Sequence, residues 1–157
     1  MNSIYTERQR FNQWWVWLII IGINVISIAV SWQSISSHGL NFSNTFRLAI
    51  TFLILVFFLC LKLETRINNS GIEVRFFPFH LSFIKISWND IASVEVRTYS
   101  PISEYGGWGI KYGAKAGKAY NVSGNKGIQL QLKDGSKLLI GTNKEEEVAK
   151  VLKSLQQ

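Results

Sequence analysis

The chain has few of the residues from which metal sites and covalent catalytic sites are built. Its 157 residues include one cysteine, Cys60, and two histidines, His38 and His80. A single cysteine excludes an internal disulfide and a four-cysteine zinc site, and two histidines leave little material for a histidine-rich metal centre. Only 2 prolines and a charged fraction of 17% argue against a disordered chain. We therefore expect a folded protein without a resident metal or cofactor.

A second absence divides the chain into an apolar part and a polar part. The stretch from Trp14 to Trp32 contains no ionisable side chain. At about 1.5 Å per residue it reaches roughly 28 Å, close to the hydrocarbon thickness of a bilayer. A second apolar stretch runs from 46 to 63, and Arg47 and Lys62 lie near its ends, where long cationic side chains can reach the headgroups. A transmembrane α-hairpin is therefore predicted within residues 1–64, in preference to a signal peptide or a buried hairpin of a soluble core.

Basic residues flank this hairpin on one side, and the chain as a whole carries a formal net charge of +7. Arg8 and Arg10 precede the first span, and Lys62 and Arg66 follow the second. The connecting loop, residues 33–45, contains no Lys or Arg. Because cytoplasmic flanks are enriched in Lys and Arg, we expect a multi-pass protein of the cell membrane with both termini and the C-terminal domain in the cytoplasm.

Three polar residues lie on one face of the first span. Asn24, Ser27 and Ser31 have the spacing i, i+3 and i+7, which places them on one side of a helix. We expect this face to pack on Thr51 or its neighbours in the second helix, or on another copy of the chain. Ion and proton pathways usually need ionisable residues at mid-membrane, and neither span has one there. The hairpin is therefore interpreted as an anchor in the lipid bilayer.

The polar part, residues 65–157, has the alternating pattern of β-strands. Ile72, Val74 and Phe76 are separated by charged residues, and residues 127–133 alternate in the same way before Asp134–Gly135, a strong hairpin signal. Further alternation predicts strands around residues 84–88, 94–96 and 137–141. We expect about six or seven short antiparallel strands that form a small barrel or a bent sheet.

The chain then ends in one amphipathic helix. Thr142 and Glu145 have the spacing of a capping box, which predicts Thr142 as the N-cap. The apolar positions at helical spacing form one stripe that can cover the sheet. They are Val148, Val151, Leu152 and Leu155.

Two sequence segments indicate a family. Residues 84–94, Ile-Lys-Ile-Ser-Trp-Asn-Asp-Ile-Ala-Ser-Val, and residues 138–142, Leu-Leu-Ile-Gly-Thr, lie where a strand–turn–strand unit and the start of the last helix are expected. Between roughly Thr65 and Leu155 the chain resembles the bacterial pleckstrin-homology-like (bPH) domains, which commonly follow a pair of membrane spans. The resemblance implies an α+β fold in which a PH-like antiparallel β-barrel is capped by the C-terminal helix.

The same resemblance implies a platform for lipids or proteins, without enzymatic activity. Phosphoinositide-binding members of the wider superfamily carry basic residues around their first hairpin loop. Here that loop is Asn68–Gly71, which has no Lys or Arg. A phosphoinositide site is therefore not expected at that place.

A glycine-rich segment, residues 105–118, could be read as a phosphate-binding loop. The Walker pattern fails, however, because the interval from Gly113 to Lys118 is one residue short and Ala119 replaces the required Ser or Thr. The segment and its surroundings are basic, with aromatic residues between the lysines, so they could contact anionic lipid or single-stranded nucleic acid, or form only a solvated face. The membrane anchor favours lipid. The candidate contacts are Trp108, Lys111, Lys115, Lys118 and Lys126.

No catalytic constellation is visible in the sequence. His80 lies among Phe79, Leu81 and Phe83, where a histidine is more often structural, and Cys60 lies within a span. We therefore expect a membrane-anchored, non-enzymatic binding or scaffold module. The alternative is a small accessory or assembly subunit of a larger membrane complex. Either role implies a protein partner or a second copy of the chain, and neither implies nucleic acid or a small-molecule substrate.

Overall fold

The structure, a computed structural model, describes residues 4–39 and 41–155. The chain divides into two compact units, one of residues Asn12–Leu61 and one of Met1–Phe11 together with Lys62–Gln157. We call them the helical hairpin and the sheet domain. The α+β class, with two long apolar N-terminal helices followed by a β-sheet domain, is confirmed. The boundary differs from the predicted one at 64/65, because residues on both sides of the hairpin pair with each other in the sheet domain.

The helical hairpin consists of two helices, α1 (Trp14–His38) and α2 (Phe42–Cys60). Both are long and apolar enough to cross a membrane. Helix α2 begins earlier than the predicted residue 46, because the Asn41 side chain accepts a hydrogen bond from the Asn44 backbone N–H at 3.0 Å and so caps it. It also ends earlier than the predicted residue 63, because Lys62 already belongs to a strand. Most of the predicted loop, residues 33–45, is therefore helical.

The sheet domain contains nine strands and two further helices within its described residues. The strands are β1 (Tyr5–Arg10), β2 (Lys62–Asn68), β3 (Gly71–Phe77), β4 (Ile84–Ser87), β5 (Ile91–Thr98), β6 (Gly109–Gly113), β7 (Gly117–Asn121), β8 (Lys126–Leu132) and β9 (Lys137–Gly141). The helices are α3 (Pro101–Tyr105) and α4 (Glu145–Leu155).

These strands form two sheets, in the orders β1-β2-β3-β4 and β5-β8-β9-β7-β6. Neighbouring strands are antiparallel except for β7 and β9, which are parallel. Over the described residues the sheets are not closed into a barrel, so the predicted antiparallel barrel is not confirmed. Both sheets nevertheless bury apolar residues that alternate along their strands. Alternate apolar residues are fully buried, and examples are Leu63, Ile72, Val74, Tyr120, Ile128 and Ile140.

Strand β1 lies before helix α1 in the sequence, yet it is the edge strand of the first sheet. It pairs with β2 from Tyr5 opposite Ile67 to Arg10 opposite Lys62. Its side chains alternate between buried and exposed along all 6 residues, which is the period of a half-buried strand. Arg8 and Arg10, which the sequence pattern presented as flanks of a span, are therefore also sheet residues.

The buried side of β1 carries an acidic residue, Glu7, that is only 5% exposed. Its Oε2 accepts hydrogen bonds from the Tyr5 hydroxyl at 2.7 Å and from the Thr142 hydroxyl at 2.6 Å. Its Oε1 accepts from the Asn143 backbone N–H at 2.8 Å. Burial, with a further contribution from Glu7, raises the pKa of Tyr5 above its usual range, so Tyr5 remains a donor. Glu7 thus joins the first strand to the segment that leads into the last helix.

The last helix has the predicted apolar stripe but a different start. Val148 is 0% exposed and Leu152 is 5% exposed, so the stripe covers the core. The capping box is not formed, because the Thr142 N–H donates to the Lys126 carbonyl at 2.9 Å. The Thr142 hydroxyl instead accepts from the Lys144 N–H at 3.0 Å. Thr142 remains in the extension of β9, and helix α4 begins after it.

Candidate functional site

The outer face of the first sheet carries most of the charge near the strand ends that lead to the helical hairpin. Residues directly opposite each other in antiparallel strands point to the same face, and alternate rows point to opposite faces. Two rows that are separated by one core-facing row therefore place charged side chains together on the face that does not form the core. The rows are Arg10–Lys62–Phe77 and Arg8–Glu64–Arg75.

Glu64 organises this face. Its side chain is 1% exposed, although it lies on the outer face, because cationic side chains cover it. Arg75 donates from Nε at 2.9 Å and contacts the same oxygen with a second guanidinium nitrogen. Arg8 lies 3.1 Å and Lys62 3.4 Å from the other oxygen. Three cations against one carboxylate leave a net positive cluster.

The pKa of Glu64 follows from the same contacts. Burial by itself would raise it, but the hydrogen bonds and the charge of Arg75, together with Lys62, outweigh burial and hold the pKa below its usual value. Glu64 is therefore ionised over the whole physiological range. It acts as a fixed anion that orients the surrounding cations.

The loop from Pro78 to Phe83, between β3 and β4, is fastened to this cluster. The Phe83 ring lies between two guanidinium groups, with Arg66 at 4.1 Å and Arg75 at 4.5 Å from the ring centroid. Arg75 also donates to the Leu81 carbonyl at 3.4 Å. Planar guanidinium groups stack well on aromatic rings. Arg75 thus connects Glu64, the loop backbone and the Phe83 ring.

The same loop turns one residue inward and two outward. The His80 N–H donates to the Phe76 carbonyl at 2.8 Å, and its ring meets the buried Tyr120 ring edge-on at 5.3 Å. Phe79 is 60% exposed and Leu81 is 78% exposed. A loop held by backbone and ring contacts therefore displays two large apolar side chains to the outside.

His80 gives a testable pH dependence. Burial, and then the charge of Lys118, lowers its pKa from 6.5. The unfolded chain therefore binds a proton at a higher pH than the folded chain does, and the free energy of unfolding falls as the pH falls below about 6.5. We expect the purified protein to melt at a lower temperature at pH 5.5 than at pH 7.5, and His80→Gln to remove most of that difference. Thermal unfolding followed by near-UV circular dichroism measures both.

This prediction has an internal control. Glu64 and Glu104 have pKa values lowered from 4.5, so their contributions to stability persist at pH 5.5 and are lost only at lower pH. A difference in melting temperature that survives unchanged in His80→Gln would show that His80 is not the titrating group.

The residues predicted to contact anionic lipid do not form one surface. On the β6–β7 hairpin, Lys111 lies opposite Ala119, whereas Lys118 lies opposite Tyr112 in the adjacent row. Adjacent rows face opposite sides of a sheet, so Lys111 and Lys118 point away from each other. Lys115 lies in the turn at the tip of the hairpin.

The other two members of that set are engaged elsewhere. Trp108 lies at the opposite end of β6 from the tip, and its indole N–H donates to the Gly124 carbonyl at 3.0 Å. Lys126 forms an ion pair with Glu145 at 2.9 Å. Sequence proximity placed these residues together, but strand pairing separates them.

The predicted polar face of the first span lies between the two helices of the hairpin. Ser27 is 8% exposed and Ser31 is 1% exposed, and Thr51 of α2 is 8% exposed. Asn24 is half-buried and satisfies its amide within its own helix, donating to the Ile20 carbonyl at 2.9 Å. Beyond this face, towards the connection, the Asn44 amide donates to the Ser34 hydroxyl at 3.0 Å.

A polar cleft of about 690 Å³ lies on the second sheet, beside α3. Its central pair is Arg97 and Glu104, whose Nη2 and Oε2 are 2.7 Å apart. Gln129 Oε1 accepts a further hydrogen bond from Arg97 at 3.0 Å. The hydrogen bond to Glu104 raises the pKa of Arg97, and the reciprocal bond lowers that of Glu104. The two central charges of the cleft are therefore already paired with each other, which suits recognition of a polar surface more than proton transfer. No local pattern in the sequence indicated this cleft, because α3 lies in a segment without periodicity.

Neither a metal site nor a comparison with known proteins identifies a function. Within the described residues, no three His, Cys, Asp or Glu side chains come together as metal ligands. No protein-family model matches the chain, and no curated protein matches it. Its function is therefore argued from geometry and charge.

Proposed function

We propose that the protein is a non-enzymatic, membrane-anchored binding module that presents a PH-like domain at the cytoplasmic surface of the cell membrane. The observation that carries this proposal is the pairing of β1 with β2. One of these strands precedes both candidate spans and the other follows both. The sheet domain is thus attached to the anchor at two points of the same sheet.

The strand pairing supports a common side for both ends of the chain. Strands that share hydrogen bonds lie on the same side of any bilayer, which requires the intervening segment to cross it an even number of times. Two crossings meet this condition. The cations on these strands and on β3 then lie on one side, and the positive-inside rule makes that side the cytoplasm. They are Arg8, Arg10, Lys62, Arg66 and Arg75.

Short connections also support presentation at the membrane surface. Residues 11–13 separate β1 from α1, and Leu61 alone separates α2 from β2. A residue spans at most about 3.6 Å, so the longer connection reaches roughly 11 Å. Two connections of this length on neighbouring strands keep the ends of these strands near the headgroups. A soluble domain on a single long linker would not have this restriction.

The PH-like character of the domain is part of the proposal and rests on three features. The strands form two sheets, a helix with a buried stripe follows the last strand, and Trp88 links the turn after β4 to the β2–β3 hairpin. The Trp88 indole donates to the Asn68 carbonyl at 2.9 Å, and its backbone N–H donates to the Ser70 carbonyl at 3.2 Å. Ser87 caps this turn by accepting from the Asn89 N–H at 3.2 Å.

Topology can be tested by cysteine labelling in a Cys60→Ala background. We expect Ser37→Cys to react with a membrane-impermeant thiol reagent on intact cells and Ser136→Cys to react only after the cells are opened. Position 37 lies at the end of α1 that is distant from the cytoplasmic flanks, and position 136 lies in the β8–β9 turn. Equal labelling of the two positions on intact cells would contradict the proposed orientation.

The alternative role, a small assembly subunit, is favoured by the large apolar surface that the hairpin leaves exposed, with Leu18, Ile26 and Phe52 among its residues. Exchanging the hairpin for an unrelated two-span hairpin of the same orientation separates the two roles. For a binding module, a photoreactive residue at Ala114, beside the polar cleft, should give the same crosslinked products in native membranes after the exchange. For an assembly subunit, those products should disappear.

A further inference from the structure

We propose that the loop from Pro78 to Phe83 is a membrane-contacting loop, with Phe79 and Leu81 inserted into the headgroup region of a bilayer that contains anionic lipid. This inference rests on the proposed function, since it assigns a lipid contact to the membrane-anchored sheet domain. It replaces the glycine-rich segment as the lipid-facing part of the chain.

The position of the loop follows from strand register. Arg10, Lys62 and Phe77 lie side by side in one row of the sheet. Arg10 is the last residue of β1 before the chain runs to the first span, and Lys62 is the first residue of β2 after the second span. Phe77 is the last residue of β3, so Pro78 leaves the sheet at the strand ends where the chain enters and leaves the hairpin. Because both connections are short, these strand ends are held at the bilayer surface.

The tips of the loop are suited to the interface. Phe79 and Leu81 are 60% and 78% exposed, although both are large and apolar. They flank His80, whose ring packs on Tyr120 and whose N–H is bonded to the Phe76 carbonyl. The inward residue holds the loop backbone, so that less conformational entropy is lost when the outward residues make contact.

The charge beside the loop is complementary to anionic headgroups. Arg8 is 68% exposed and Lys62 is 30% exposed at the periphery of the Glu64 cluster. Arg10, two residues beyond Arg8 on the same face of the strand, is also exposed. Arg75 holds Phe83 and the Leu81 carbonyl, so the cluster and the loop move together. Basic side chains with adjacent aromatic and aliphatic tips are the combination that binds an anionic interface.

A lipid surface is a better occupant than a protein partner because the chain itself brings the bilayer to this edge of the sheet. Contact then needs no separate association step, since the two connections keep the loop at high effective concentration near the headgroups. A protein partner or a second copy would have to compete with the membrane for the same apolar tips.

The test uses the full chain, carrying Cys60→Ala and Leu81→Cys, in vesicles of phosphatidylcholine and phosphatidylglycerol. The new thiol is labelled with an environment-sensitive fluorophore. We expect blue-shifted emission, strong quenching by a nitroxide on the lipid acyl chains and little quenching by aqueous iodide. The matched control, Ser136→Cys in the exposed β8–β9 turn, should show the reverse pattern. Adding Phe79→Ser to the Leu81→Cys chain should weaken the lipid quenching several-fold, because Phe79 is the native apolar anchor that remains beside the label.

The outcomes separate the possible occupants. Iodide quenching at position 81 equal to that at position 136 would overturn the proposal, and protection from both quenchers would assign the loop to a protein contact instead. Equal lipid quenching in vesicles of phosphatidylcholine alone would overturn the role of the basic face. Labelling at positions 37 and 136 in the same vesicles reports the membrane topology independently. If the label at position 81 is not quenched by lipid in a chain that has the proposed topology, the lipid-contacting loop is rejected and the anchored module is not.

Discussion

Removal of residues 1–11 is expected to unfold the sheet domain, although these residues lie before the helical hairpin and are largely polar. The deletion removes β1, and with it the hydrogen-bonding partner of β2. It also removes Glu7, which accepts hydrogen bonds from Thr142 and Asn143 at the approach to α4. The deletion leaves buried polar groups without partners and exposes core residues. We expect the free-energy cost of both to exceed the typical stability of a small domain, about 5–15 kcal/mol. Proteolysis in native membranes should show rapid cleavage within residues 62–155.

A matched variant makes this prediction specific. Replacing residues 12–61 with a short glycine- and serine-rich linker joins β1 directly to β2, whose facing ends are Arg10 and Lys62. We expect that variant to be water-soluble and to unfold cooperatively, with dispersed amide signals in its NMR spectrum. The fragment 65–157, which corresponds to the domain predicted from sequence, should remain unfolded under the same conditions. A well-folded 65–157 fragment would show that β1 is dispensable.

The second large effect is expected from Glu7→Ala. The substitution leaves the Tyr5 and Thr142 hydroxyls and the Asn143 N–H without their buried acceptor. A buried group left unsatisfied costs about 1–3 kcal/mol, and hydroxyl groups can rotate towards other acceptors, so we expect a total loss of about 3–5 kcal/mol. Urea unfolding of the linker-joined variant measures this loss directly.

Two controls accompany Glu7→Ala. Thr6→Ala changes the exposed neighbour on the same strand, and we expect it to cost no more than about 0.5 kcal/mol. Glu7→Gln keeps the shape and one carbonyl acceptor, so its cost should lie between those of the other two variants. If Glu7→Ala were as mild as Thr6→Ala, the link between the first strand and the last helix would contribute little to stability.

Local patterns predicted those elements whose residues alternate or repeat clearly. Strands β3, β8 and β9 and the stripe of α4 lie where period-two and helical spacing placed them. Strand β1 was missed because its core-facing residues are Tyr5, Glu7 and Gln9. Glu7 and Gln9 are polar, and each is bound by residues that are distant in the sequence. Thr142 and Asn143 donate to Glu7, and the Gln9 amide donates to the Gly141 carbonyl. No local pattern carries that information.

The candidate site was harder to predict than the fold, since it depends on strand register. The lysines of the glycine-rich segment are close in sequence, but the pairing of β6 with β7 turns Lys111 and Lys118 to opposite faces. Conversely, Arg8, Glu64 and Arg75 are far apart in sequence and meet only because three strands align them in one row. The exposed Phe79 and Leu81 were visible as apolar residues, but they could not be distinguished from core residues without the fold.

A disulfide between β1 and β2 tests most directly the claim that one sheet domain is tied to the membrane at both ends of the hairpin. Thr6 and Arg66 are directly opposite, and such pairs have Cα atoms about 4.5–5.5 Å apart, within the range of a disulfide. In a Cys60→Ala background, Thr6→Cys with Arg66→Cys should be oxidised readily in native membranes, as read by mass spectrometry of non-reduced peptides. Thr6→Cys with Glu73→Cys, which lies a strand further away, should stay reduced. Failure of the first pair to form, or equal oxidation of both pairs, would contradict the account.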